Sequence, residues 1–546
     1  MQRILKVESL NLQSKNDEMQ KLIMLNYENL LNGLQSKIQI MCKSEEYNIN
    51  DYKIHDAKLY NYIKSYSEKY SCVNKTFFII VSDSNKAKLD SNMSTIMRSL
   101  KNMNIYYEEV LENSSYQWDK VVEMNRKYIK DDKYYYKTVY VSDWPYYCTP
   151  GWLEFLYNSD LNIDINCYIN PQDTIKSIKF LRKKLVQFGV SADFECERTN
   201  DEDMFSSELE GISLMLDELR SNLGKLFFVS YYITIKGKTN DELQQNYLNV
   251  KNWLNSRNII VNDCFLFQHK AYRNNMLNCK DEIGKDYNFT TSSLKCFFPF
   301  QSLNICDKKG IYIGVNQQNK NLIFLDIFTR QYAVMLILGI MGSGKSFLAK
   351  NIIQNLADNG VEITILDKSG EYSIFNNDNI KVHSNKTMKE YVQIVKEYIT
   401  KINSDYERGV LKQRLFVVDE LWSYIDTDNE YAEQFNQLFS EIILEGRKKY
   451  LASLFMSQLI ESLINNKAGQ TIIKTANIKF LMQMEYNAAK LLATEFNLSQ
   501  QQMNFLSVAQ HEGIMTVNSN CIQFKVETTD ERKKLFNTTP LMEVNI

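Results

Sequence analysis

The sequence predicts an α/β protein: a mixed α/β N-terminal domain followed by a C-terminal doubly wound parallel sheet. Three observations predict it. Strand and helix patterns alternate from Ala333 onward. The strand candidates are short apolar runs of the kind buried inside parallel sheets. A glycine-rich turn joins the first of these runs to a helix. The expected strands are Ala333–Leu338, Val361–Leu366, Leu415–Val418, Leu451–Met456 and Ile478–Met482. Between the second and third, Met388, Val392, Val395, Ile399 and Ile402 share one helical face; between the third and fourth, Ala432, Phe435, Phe439 and Ile442 do the same. Ser499-Gln500-Gln501-Gln502 predicts a capping box opening a further helix, and Cys521–Glu527 alternates like an edge strand.

The 546 residues are too many for one ordinary core. Proline and glycine in the stretch Cys296–Lys320 place the domain junction there, giving domains at 1–305 and 306–546, with a small helical insertion at about 372–412. In the N-terminal part, Met19, Ile23, Tyr27, Leu30 and Leu34 keep helical spacing, and Thr76–Val81 and Leu226–Lys236 read as strands. Thr239 and Glu242 form a second capping-box pattern, and Ile259–Phe267 looks like a returning strand. These are packing patterns without chemistry of their own.

Composition excludes several classes. Lys+Arg (64) nearly balances Asp+Glu (66), so whole-chain charge does not advertise a nucleic-acid coat or a polybasic anchor. No apolar run reaches the ~18–20 residues that span a bilayer, and no secretory signal is visible at the N-terminus. The 10 cysteines lack a CxxC pair or a Cys/His cluster, and with 4 histidines they argue for reduced, buried thiols rather than a zinc site.

The strongest chemical signal is Gly339-Ile340-Met341-Gly342-Ser343-Gly344-Lys345-Ser346, which fits G-x-x-x-x-G-K-[ST] after an apolar run and at the start of a helix, with Phe347 counted beside it among the nucleotide-binding residues. Glycines let backbone N–H groups curl round a β-phosphate, and the helix N-terminus adds positive potential. Lys345 bridges the β- and γ-phosphates in this reading, and Ser346 holds Mg²⁺. Leu415-Phe416-Val417-Val418-Asp419-Glu420 supplies the acidic half at a strand's C-terminal edge, Asp419 orienting Mg²⁺ and Glu420 polarising the attacking water. No N-K-x-D guanine motif follows, so ATP is the expected nucleotide.

Three further residues carry two readings each. Gln458 ends the fourth strand, where it can reach the γ-phosphate or the water. Arg447, in Gly446-Arg447-Lys448, is either a finger for a neighbouring subunit's site or a solvated helix end complementing the dipole. Asp367, ending the second strand with Glu371 nearby, is either an ordinary loop carboxylate or a group set close to the phosphates.

Taken together, Gly339–Ser346, Asp367–Tyr372, Leu415–Glu420 and the Arg447 to Gln458 spacing resemble the FtsK/HerA-type branch of P-loop ATPases. Within it they resemble the type IV secretion and conjugation ATPases of the TraE/TrbE/CagE (VirB-four) family. Softer likenesses lie at Trp144-Pro145, Gly151–Leu153, Ile163–Pro171, Phe267–Tyr272 and Phe496–Ser499 through Met515. The family often has Asp-Pro where Asp367-Lys368 stands here, and often a larger helical insertion before the second acidic motif. The resemblance implies a RecA-like ATPase domain, ATP and Mg²⁺ as ligands, Arg447 acting in trans within a homo-hexamer, and an N-terminal domain that docks inner-membrane components of a secretion complex. It also implies a coupling protein as partner, a cytoplasmic place at the inner face of the membrane, and DNA as a further candidate partner. An FtsK/HerA-type DNA translocase or coupling protein, and a nucleotide-regulated scaffold that does not hydrolyse ATP, are the alternatives.

Overall fold

The computed structural model describes all residues except 13–14, 53, 71, 111–120, 146, 160, 196–201, 308, 331, 376–377, 427–429, 497, 518–519 and 538–546. Asn497 and Cys196 therefore lie outside the described residues. The chain forms two compact units: Met1–Leu12, Asp17–Glu45 and Lys75–Ser302 make the first, while Glu46–Asn74 and the chain from Leu303 onward belong to the second. This grouping differs from a single cut at 305/306, because the stretch 46–74 folds with the C-terminal part.

The first unit is built on an 11-stranded sheet whose middle is formed by Ile38–Glu46, Ile163–Pro171, Leu226–Gly237 and Tyr135–Asp143. Ile163–Pro171 pairs antiparallel with both Ile38–Glu46 and Leu226–Gly237. The helix Asp17–Gly33 buries Ile23, Tyr27 and Leu30 on the predicted face. Thr239 caps the helix Asn240–Asn255, accepting from the Glu242 N–H at 3.1 Å. The returning carboxylate of Glu242 accepts from Lys238 N–H instead of Thr239, one residue earlier than a reciprocal box requires. The expected strand Ile259–Phe267 is shorter, Ile260–Asp263, because Leu266 at φ 68 turns the chain into the helix Gln268–Asn274.

In the second unit we number the helices α1 (Ala57–Tyr70), α2 (Lys345–Asp358), α3 (Met388–Glu407) and α4 (Ala432–Glu445). The strands are β1 (Ile311–Asn316), β2 (Leu322–Leu325), β3 (Val334–Leu338), β4 (Glu362–Asp367), β5 (Ile380–Ser384), β6 (Arg414–Val418), β7 (Leu451–Ser457), β8 (Ile478–Met482), β9 (Glu512–Val517) and β10 (Asn520–Lys525). They form one sheet in the order β2-β1-β10-β9-β8-β3-β7-β6-β4-β5. Pairings from β8 through β5 are parallel, and β9, β10, β1 and β2 continue antiparallel.

Side-chain alternation explains the two-sided burial. Val334, Leu336 and Leu338 pack with α3 and α4 through Tyr391, Val395, Phe435 and Phe439. Met335 and Ile337 pack on the other face against Leu348, Ile352 and Ile353 of α2. Apolar runs covered on both faces are what a parallel sheet between helix layers requires. This is a RecA-like arrangement.

Two expectations are corrected here. The stretch 372–412 is no separate insertion: β5 adds a parallel strand beside β4, and α3 buries Tyr391, Val392, Val395, Ile399 and Ile402 in the core. Only one residue of β5, Ile380, is fully buried, so its pattern carries little strand signal. β10 is an interior strand, since β1 pairs on its outer side through Val315 and Asn316. α1 joins this unit because its narrow apolar face, Leu59 and Ile63, buries with Tyr312, Leu322 and Phe324. Among the described residues, no helix is long and apolar enough to cross a membrane, and no cysteine forms a disulfide.

Candidate nucleotide site

The glycine-rich turn leaves β3 at the point where the sheet's connections diverge, with β7 on one side and β8 on the other. Open α/β sheets bind ligands at such a place, beyond the carboxyl ends of their strands. The turn is tied to both neighbours: Gly339 N–H donates to the Ser457 carbonyl at 3.4 Å and Ile340 N–H to the Gln483 carbonyl at 2.9 Å. Gly342 and Gly344 sit at φ 77 and 99, backbone that side chains resist. A Cβ at Gly339 would come within 2.8 Å of Met482 Cβ and Ser343 Oγ. These constraints account for glycine at all three positions of the motif.

Lys345 opens α2 and is 8% exposed. Its ammonium donates to the Ile340 carbonyl at 2.9 Å. Burial pulls its pKa down, opposed by the carboxylates of Glu420, Asp419 and Glu371. Ser343 Oγ is buried with no hydrogen-bond partner. Ser346 follows at the second helical position, half-buried, and Phe347 packs edge-on against Phe536 with centroids 6.4 Å apart.

The acidic half leaves β6 facing this turn. Asp419 is 5% exposed and its N–H donates to the Leu366 carbonyl. Burial, and then the neighbouring carboxylates of Glu420, Glu371 and Asp367, pushes its pKa up to about 7. Glu420 adopts φ 49, a left-handed backbone that costs a non-glycine residue about 1–2 kcal/mol. Its carboxylate accepts from the Trp422 indole N–H at 2.5 Å.

The structure separates the remaining candidates. Asp367 is fully buried, and its two oxygens accept from Gly370, Glu371 and Tyr372 N–H groups and from the Ser369 and Ser384 hydroxyls. Five donors leave it little capacity for a ligand, so it holds the turn 368–372, and through that turn it places Ser369, whose hydroxyl also reaches Asp419 at 3.3 Å. Gln458 follows Ser457, which pairs in register with Leu338, so it stands beside the glycine-rich turn. Arg447 lies in the exposed 3-10 turn Gly446–Lys449, before the first residue of β7. The length of β7, roughly 20 Å at ~3.3 Å per residue, separates it from the phosphate turn of its own chain.

Several residues near the site are not legible as such in the sequence. Lys350 is 1% exposed on the otherwise apolar face of α2, 5.6 Å from the centre of the Tyr372 ring; a lysine among Leu348, Ile352 and Ile353 is the available signal. Glu371 carries a buried Oε2 without a hydrogen-bond partner. His511, at φ 56, places Nδ1 3.5 Å from where a Cβ on Gly344 would stand. Trp422 and His511 sit on segments whose approach no local pattern announces.

Residues 322–538 match the family model described as the central domain of helicase HerA. Among solved structures, VirB4 of Thermoanaerobacter pseudethanolicus aligns with TM-score 0.35 and 15% identity, over 42% of this chain and 100% of that one. The pCW3 conjugation coupling protein TcpA, solved as a monomer form with ATPγS, aligns with TM-score 0.33 and 15% identity over 43% and 73%. The genome packaging NTPase B204 from Sulfolobus turreted icosahedral virus 2, in complex with AMPPCP, gives 0.27 and 16% over 36% and 97%. No curated protein matches the chain.

Proposed function

We propose that this chain, whose residues 322–538 match the family model described as the central domain of helicase HerA, is a motor ATPase energising a type IV secretion or conjugation system, moving DNA, DNA–protein complexes or effector proteins across the envelope. One observation carries the hydrolytic reading. Lys345 at the start of α2 and Asp419 at the carboxyl end of β6 are both buried and near enough for Asp419 to oppose the fall in the Lys345 pKa, yet they form no ion pair with each other.

The residues suit ATP with Mg²⁺. The N–H groups of the glycine-rich turn and the start of α2 take the phosphates, and Lys345 exchanges the Ile340 carbonyl for β- and γ-phosphate oxygens. The Ser346 hydroxyl and the Asp419 carboxylate are the donors for Mg²⁺, which when bound neutralises charge developing on the phosphates. A carboxyl that burial holds near neutrality is a group whose ionised form gains from an adjacent cation. Glu420 takes a proton from the attacking water once it leaves the Trp422 indole. Gln458 contacts the γ-phosphate or that water, while Asp367 keeps the 368–372 turn in place.

Arg447, exposed before β7, acts in this reading in the site of a neighbour within a homo-hexamer, the other reading being a solvated helix end. The N-terminal part, about residues 1–305, docks inner-membrane components of the complex, holding the motor peripherally at the inner face of the membrane beside a coupling protein.

The test is steady-state ATP hydrolysis by the purified chain, with and without single- or double-stranded DNA, using Glu420→Gln as the blank. Glu420→Gln should keep ATP binding and lose turnover by about 10²–10⁴-fold. Wild-type turnover in that variant would remove Glu420 as the base. Strong stimulation by DNA would favour a DNA translocase, and wild-type turnover no higher than the blank, even with membranes carrying the rest of the complex, would favour a scaffold.

A further inference from the structure

We propose that the His511 ring packs on the nucleoside of the bound nucleotide and so forms a base subsite on the β8 side of the phosphate turn. The inference rests on the ATPase reading and concerns the part of the ligand that Lys345, Ser346 and Asp419 leave unaddressed. The fold fixes where this histidine stands. β9 begins one residue after it and pairs antiparallel with β8, Gly513 lying opposite Met482. His511 is therefore at the carboxyl edge of the sheet, where such sheets take their ligands. The two strands approach so closely that a Cβ on Gly513 would lie 2.6 Å from the Leu481 carbonyl oxygen and 3.0 Å from Met482 Sδ. A Cβ on Gly344 would in turn meet His511 Nδ1 at 3.5 Å and His511 Cα at 3.8 Å. The histidine is seated against the phosphate turn.

Its conformation is unusual for a residue in that place. The backbone is left-handed, with φ 56, and the residue is exposed. Among the described residues the imidazole makes no hydrogen bond. Strain of this kind needs a compensation, and it gathers at sites that hold ligands. A ring lying in solvent without a partner gains nothing within the chain. A ligand that covers the ring supplies the gain.

The order of strands indicates which part of the nucleotide arrives there. The turn leaves β3, and the sheet runs β9-β8-β3-β7-β6 across it. Gln458 follows β7, while Asp419 and Glu420 follow β6, so the terminal phosphate lies on that side. A nucleotide held there runs back past Gly344 toward β8, and its nucleoside comes to His511. Ile340, tied to the segment after β8 by its N–H on the Gln483 carbonyl at 2.9 Å, stays exposed and adds apolar surface. The phosphates are already served by Lys345 and by the N–H groups at the start of α2. An aromatic ring asks for a flat partner, and the base is the flat part of the nucleotide.

The test is calorimetric titration of the full chain with the non-hydrolysable analogue AMPPCP and with inorganic tripolyphosphate, each with Mg²⁺. His511→Asn should weaken AMPPCP roughly tenfold, the worth of one stacked base, and leave tripolyphosphate unchanged. Asparagine accepts a left-handed backbone, so the variant removes the ring and keeps the path of the chain. Lys345→Ala should weaken both ligands. The chain has 4 histidines, so NMR of isotope-labelled histidine gives a second measurement. The imidazole signal missing from His511→Asn should move when AMPPCP binds, through the ring current of the base, and move less with tripolyphosphate. Equal losses for the two ligands in His511→Asn, or no loss for AMPPCP, would overturn the proposal while leaving the phosphate site standing. Wild-type chain that binds neither ligand would remove the ATPase reading as well.

Discussion

Lys236 in the first unit and Lys345 in the second are both withdrawn from water, and their surroundings treat them in opposite ways. The Lys236 ammonium donates to Asp164 and to the Ser44 carbonyl, each at 2.7 Å. Asp164 in turn accepts from Ser44 N–H and from the Asn275 amide, so every charge in the cluster is met. Lys345 has one carbonyl, and the carboxylates that influence it form no ion pair with it. Next to it, Ser343 Oγ and Glu371 Oε2 are buried without partners. Buried polar groups are normally satisfied, and an unsatisfied one costs about 1–3 kcal/mol. For these two lysines, completed partners accompany an architectural place and withheld partners leave room for a ligand.

The contrast is broken most directly at its two lysines. Lys345→Ala should weaken ATP binding on the order of a hundredfold, the worth of a charged phosphate contact, and leave the thermal midpoint nearly unchanged; equilibrium binding of a fluorescent ATP analogue reads this. Asp164→Ala should act the other way round. It strands the Lys236 ammonium in the sheet and should cost about 3–5 kcal/mol in urea unfolding, with ATP binding intact. If Lys345→Ala destabilised the chain as much as Asp164→Ala does, the distinction would collapse.

A subtler effect belongs to Asp419. Its folded pKa, about 7, stands above the ordinary value of 3.8, so the stability tied to it is fully present below about 3.8 and lost as pH rises toward 7. Asp419→Asn should therefore raise the thermal midpoint by an amount that is absent near pH 4, grows up to pH 7 and is constant above it. The smallest effect tests whether the rule follows partners rather than units. Ser499 in the second unit accepts from Gln502 N–H at 3.3 Å while the Gln502 side chain accepts from Ser499 N–H at 2.8 Å. Ser499→Ala should cost about 1 kcal/mol in unfolding and nothing in ATP hydrolysis.

What the sequence makes legible follows the range of the interactions. Gly339–Ser346 and Asp419-Glu420 are legible because their chemistry lies in consecutive residues after apolar strands. The five strands β3, β4, β6, β7 and β8 are legible for the same reason. β5 is not, since an edge strand with little buried surface leaves little pattern. Asp367 keeps two readings in the sequence, because the donors that decide between them come from the backbone of its own turn and from Ser384 on β5. Trp422 on Glu420 is invisible there because an indole hydrogen bond two residues away has no periodic signature.

The stretch 46–74 is part of the second unit although it is far in sequence from the rest of that unit. The chain enters the second unit at Glu46, leaves it after Asn74 and returns at Leu303. A chain beginning at 303 would keep β1 and β2 without α1, baring Tyr312, Leu322 and Phe324, which Leu59 and Ile63 cover in the full chain. A piece of chain that starts at 303 thus carries an uncovered apolar patch, and an intact second unit needs both stretches of the sequence.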